Sequence, residues 1–120
     1  MKKFEDLQAW QTARALVNAI YEITKGEPLA RNYGLKDQVQ RASVSAMSNI
    51  AEGFARLNRR EKMQLYNVAR ASAAEARSLL YILGDQKLSN KEDLSRCFKL
   101  VDRLGAMITG LIRSFSKGEE

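Results

Sequence analysis

Two runs of apolar residues at heptad spacing constrain what this chain can become. Across residues 59–84, Tyr66, Ala69, Ala73, Ala76, Leu80 and Leu83 recur at steps of three and four. Across residues 90–115, Leu94, Cys97, Val101, Leu104, Ile108, Leu111 and Phe115 do the same. Steps of three and four put side chains on one face of an α-helix, but scatter them over both faces of a strand. Sustained alternation of period two is absent, and one proline with seven glycines leaves little turn chemistry. The chain must therefore bury helical stripes against one another.

Two further helices complete the set. Residues 6–25 carry Leu7, Trp10, Ala13, Val17, Ile20 and Thr24 on one stripe, with Leu16 and Ile23 beside it. Asp6 is the expected N-cap, and Gly26 with Pro28 the stop. Residues 27–34 lack periodicity and form the longest connection, with Leu29 and Tyr33 as residues that would pin it to the core. Residues 35–56 form the second helix. Asn58 with Glu61 and Ser89 with Glu92 read as capping boxes for the third and fourth, Gly84 as the end of the third, and the tail 116–120 as a fraying end. The expectation is an all-α, up-down-up-down antiparallel four-helix bundle, one domain over residues 1–120 with helices at about 6–25, 35–56, 59–84 and 90–115.

The stretch 38–53, QVQRASVSAMSNIAEG, is unusual within this frame. Ala42, Ser43, Ser45, Ala46, Ser48, Ala51 and Gly53 are small, and Gln38, Arg41, Asn49 and Glu52 are the polar groups among them. Small residues let helices approach closely, so this segment reads as a central, surrounded helix. Asn49 and Glu52 then become buried hydrogen-bonding groups that fix register, with Arg41, Ser45, Ser48 and Ser72 as partners for the carboxylate. The last two helices also carry second apolar stripes, Leu65, Val68, Leu79 and Ile82 on one, and Leu100, Met107 and Ile112 on the other. They belong either to a large core or to a surface buried between subunits.

Catalysis finds little support. The chain has no histidine, which removes the commonest general base and a common metal ligand. Cys97, the one cysteine, has no partner for a disulfide or a zinc site and falls at a core position, so it reads as a buried structural thiol. Glu52 and Glu75 are the mid-helix carboxylates that acid/base work would need. No glycine-rich phosphate loop or nucleophile elbow occurs. The expectation is no enzyme, no cofactor, no metal and no small-molecule substrate. With no long apolar run and no leader pattern, no membrane is expected and the cytoplasm is the default.

Charge is the better lead. Twenty lysines and arginines against fourteen acids give a net charge of +6. Between residues 56 and 77 stand Arg56, Arg59, Arg60, Lys62, Arg70 and Arg77 against Glu61 and Glu75 alone. Such a cluster suits contacts to nucleic-acid phosphates, and equally suits a solvated face kept soluble by charge. Trp10, Tyr66 and Phe115 sit on core stripes, so no aromatic row is available to stack bases. Any recognition would run through backbone and shape, with structured RNA favoured over DNA. A protein-interaction scaffold is the alternative.

Three stretches, FEDLQAWQTARALVNAIYEIT, YGLKDQVQRASVSAMSNIAEGFAR and ARASAAEARSLL, together resemble the four-helix-bundle proteins named for intervening sequences in bacterial 23S ribosomal RNA genes. The most specific part is Gln38, Arg41, Ala42 and Ser45 followed by Asn49, Ile50, Ala51, Glu52 and Gly53, with Asp6, Leu7 and Trp10 in support. Where that family commonly has glycine-serine in the third helix, this chain has Ala71 and Ser72. The resemblance implies a cytoplasmic bacterial bundle that assembles as a homopentamer with a basic surface. It also implies kinship with the accessory variability protein of diversity-generating retroelements, a ring that binds nucleic acid and a reverse transcriptase. It implies no catalytic residues.

Overall fold

A computed structural model describes residues 3–116, apart from the side chain of Ser116; the expected fraying of residues 117–120 lies outside the described residues. Four helices run in sequence: α1 (Gln8–Thr24), α2 (Tyr33–Ala55), α3 (Arg59–Asp85) and α4 (Lys91–Ser116). Each packs on its chain neighbours and α4 closes back on α1, while the diagonal pairs stay apart. No strand occurs among the described residues. This is the antiparallel up-down-up-down bundle that the spacing predicts, a rod of 46 × 20 × 20 Å.

The heptad rows of α3 and α4 face the core, with Tyr66, Leu80, Leu83, Cys97, Leu104 and Ile108 wholly enclosed and Leu94, Leu111 and Phe115 at the ends of the α4 row half-buried. On α1 the buried stripe is turned from the expected one. Ala9, Leu16 and Ala19 go inside, while Trp10 and Val17 are only half-buried. Trp10 instead meets Phe4 edge-on at 5.1 Å and carries the Arg14 guanidinium 5.7 Å from its ring centre. A bulky indole fits the edge of the stripe better than the tight seam that three alanines make.

Three helix boundaries differ from the reading. Asp6 does not cap α1: it lies in a 3-10 turn at Phe4–Asp6, and Leu7 precedes the helix with no side-chain cap. α4 is capped by Asn90, not by Ser89 and Glu92. The Asn90 carboxamide oxygen accepts from the Asp93 N–H at 2.8 Å, and its NH2 donates to the Asp93 carboxylate at 2.9 Å. Gly84 does not end α3, which runs on to Asp85; the left-handed position of the turn belongs to Lys87, with φ 56°. Gly84 is small because α4 crosses there: a Cβ would come 2.9 Å from Leu94 Cδ2. The Asn58 cap does form, its side chain accepting from the Glu61 N–H at 3.1 Å. In the first connection Leu29, within a 3-10 turn at Leu29–Arg31, is wholly buried and ties the loop down. Tyr33 does not: it opens α2 with 74% of its surface exposed.

The stretch 38–53 turns out to have two faces. Val39, Ala42, Ser43, Ala46, Ile50 and Gly53 point inward. A Cβ on Gly53 would lie 2.7 Å from Tyr66 Cε1, so glycine here sets how closely α2 approaches α3. Ser45 and Ser72 share a 2.7 Å hydroxyl hydrogen bond across the two helices, and the Asn49 NH2 donates back to the Ser45 carbonyl at 2.9 Å. The expected burial of Glu52 is wrong: it is exposed, as are Gln38 and Arg41, and Arg41 donates to Asp37 at 2.8 Å. The helical period explains the correction. Gln38, Arg41, Ser45, Ser48, Asn49 and Glu52 lie within one sector that borders the inward row; Ser45 still reaches Ser72 of α3, while Gln38, Arg41, Ser48 and Glu52 are left in water.

Candidate nucleic-acid interface

Folding divides the 56–77 cluster into three settings. Arg56, Arg59 and Arg60 are exposed at the turn between α2 and α3, around Leu57, whose side chain is fully exposed. That turn lies at the end of the rod where α4 finishes, since the Tyr66 ring sits 5.9 Å from the Phe115 ring. The α2–α3 junction is tight because Asn58 caps α3 directly after α2 stops.

Lys62 is drawn inward. Its ammonium donates to the Phe54 carbonyl at 2.7 Å and the Gly53 carbonyl at 3.3 Å, 5.4 Å from the Phe54 ring centre. A cation at the last carbonyls of α2 satisfies groups that the helix cannot pair itself. Partial burial holds its pKa below the usual lysine range. Its charge is thus used to close α2.

Arg70 and Arg77 lie on the α4 side of α3, roughly 16 and 27 Å beyond Arg59 by helical rise. Arg77 donates from Nε to Asp102 Oδ1 at 2.7 Å, and its guanidinium stands 5.5 Å from the Tyr81 ring and 5.9 Å from the Phe98 ring. Those two rings meet edge-on at 4.9 Å. The hydrogen bond to Asp102 and the charge beside it raise the Arg77 pKa, but they also cancel its charge toward outside partners. Arg70 opens onto a groove of about 250 Å³ between α3 and α4, floored by Ala73, Ala74, Gly105 and Ala106.

The sequence reading passed over α4. Lys91–Ser116 holds five basic residues against three acids, a balance that draws no attention. Two of the three acids are nevertheless engaged within the chain: Asp93 by the Asn90 cap and Asp102 by Arg77. Arg96, Lys99, Arg103 and Arg113 remain exposed, with no carboxylate within ion-pair distance among the described residues. Their spacing of three, four and ten residues was the available signal, since it marks one helical face.

The two mid-helix carboxylates do not come together in an enclosed site beside these cations. Glu52 and Glu75 are both exposed, which removes the dry pocket that an acid/base pair needs. Cys97 is wholly enclosed, and burial pushes its thiol up to about 11. No group of three potential metal ligands occurs among the described residues, and no helix there is long and apolar enough to cross a membrane.

Comparison with known proteins gives two results. A family model described as 23S rRNA-intervening sequence protein matches residues 5–110. A crystal structure of a protein of unknown function from the S23 ribosomal protein family of Bacteroides thetaiotaomicron superposes with a TM-score of 0.79 at 17% identity. The match covers 87% of this chain and 97% of that one. No curated protein matches the chain.

Proposed function

Because the chain belongs to the 23S rRNA-intervening sequence protein family, we propose that it is a non-enzymatic, oligomeric bundle of the cytoplasm that binds structured RNA through backbone phosphates. The observation that carries this reading is the guanidinium cluster of Arg56, Arg59 and Arg60, exposed together at one end of a rigid rod. Arginines of this kind neutralise phosphates and release counterions without reading sequence. Assembly, with a homopentamer as the expected form, is supported by exposed Val44, Val68 and Ile82. A ring would repeat the cluster and raise avidity without any new contact.

Titration of a structured RNA across a salt series tests the proposal. Log affinity should fall steeply and linearly with log salt; a flat line, or no binding at about 50 mM salt, would refute it. Changing Arg59, Arg60 and Arg70 to glutamate should abolish binding and leave helicity intact.

The second reading, an interaction scaffold or an accessory subunit of a polymerase or reverse transcriptase, is favoured by Leu57. A fully exposed leucine between Arg56 and Arg59 is an apolar anchor ringed by cations. Retention of one protein partner after nuclease treatment of a lysate, lost in Leu57→Asp, would support this reading over the first.

A further inference from the structure

We infer that the outward face of α4 is a linear track for a nucleic-acid backbone, running along the rod into the arginine cluster at its end. The inference rests on the nucleic-acid reading above and adds where the strand lies.

The geometry follows from the helix. Arg96, Lys99, Arg103, Ala106, Gly110 and Arg113 fall within a sector of about 100° and span about 26 Å of rise. All four cations on this line are exposed and lack a carboxylate partner among the described residues. The acids that could quench them face elsewhere or are already engaged. Asp102 is turned toward α3, where it holds Arg77 at 2.7 Å, and Asp93 faces its own cap. Glu92, also on the line, stands alone at its N-terminal end.

What flanks the line also suits a polyanion. On the α3 side Arg70 faces α4 across the groove floored by alanines and Gly105, with Thr109 as a further hydroxyl donor. On the α1 side Leu7, Gln8 and Ala9 line a pocket with Met107 and Leu111, and none of these five is charged. Ala106 and Gly110 keep the gap between Arg103 and Arg113 low; a Cβ built at Gly110 meets nothing within 4 Å. Arg113 brings the track to the end of the rod where Arg56, Arg59 and Arg60 cluster. A row of exposed cations, its one long gap kept low by small residues and free of base-stacking rings, fits a phosphate backbone.

The test uses a short RNA duplex and the full-length protein, read by fluorescence anisotropy over a salt series. R96E/K99E/R103E should weaken binding more than tenfold at low salt and lower the salt slope by about 2 to 3, close to one for each phosphate no longer neutralised. K25E/R31E/R41E, which changes the net charge equally in the α1–α2 connection and on α2, away from the outward face of α4, should weaken binding far less. Circular dichroism verifies that both variants are folded. Equal weakening in the two variants, or displacement of the RNA by polyglutamate at matched charge, would overturn the assignment. So would an α4 variant that binds like the parent while R56E/R59E/R60E fails, and there the proposed function would survive. Failure of the parent protein to bind any RNA would instead remove that function, and the track with it.

Discussion

Gly53 makes the closest fit of the described glycines, with no room for a methyl group between its backbone and the Tyr66 ring. Gly53→Ala should therefore destabilise the fold by about 1–3 kcal/mol, despite alanine's better helix propensity, because a packed aromatic must move. Gly110→Ala meets open space and should stabilise by about 0.5–1 kcal/mol. Urea unfolding midpoints of the two variants should move in opposite directions. Two buried protons add a pH dependence. Burial pushes Tyr66 up to about 12 and Cys97 up to about 11. In the unfolded chain these groups ionise at their ordinary values of 10.0 and 9.0. The unfolded state thus loses its protons first, so stability should be level below pH 9 and fall as pH rises from 9 to 12. Tyr66→Phe should flatten the fall between pH 10 and 12, as measured by urea unfolding at fixed pH steps.

At the scale of elements, caps decide where helices begin. Asn90 satisfies the Asp93 N–H and is held by the Asp93 carboxylate, whereas the Ser89 hydroxyl reaches only the Asn90 carbonyl at 3.5 Å. Asn90→Ala should cost about 1 kcal/mol and Ser89→Ala little, by thermal or urea unfolding. The expected cap for this run was Ser89. The choice went to Asn90 because the turn from α3, with Lys87 in the left-handed region, delivers the chain one residue later. The same limit explains α4: its acids and bases alternate in the sequence, and only packing shows which acids are spent inside the chain.

For the whole molecule, the exposed part of the second apolar stripe matters most. On α4 that stripe is half-buried, with Leu100, Met107 and Ile112 packed against the core. On α3 Leu79 is buried, yet Val68 and Ile82 remain 45% and 41% exposed, with Val44 of α2 also outside. If subunits meet there, Val68→Lys with Ile82→Lys should lower the mass measured by sedimentation equilibrium and leave the helical content unchanged. An unchanged mass would place any interface elsewhere.

The periodic apolar residues by themselves determined four helices, their order and their antiparallel packing, because burying a stripe leaves a chain with so few breakers hardly another solution. They also identified Cys97 and the α3 and α4 rows as core. Tertiary structure alone decided which polar groups stay outside. Gln38, Arg41 and Glu52 lie in the same stretch as Gly53, but α1 and α3 cover only one flank of α2 and leave them in water. Lys62 and Arg77 belong to the basic cluster in sequence, but one closes α2 and the other is held by Asp102. The physical reason is the same in each case. Apolar burial follows local spacing, whereas the fate of a charge depends on which partner another helix brings within reach.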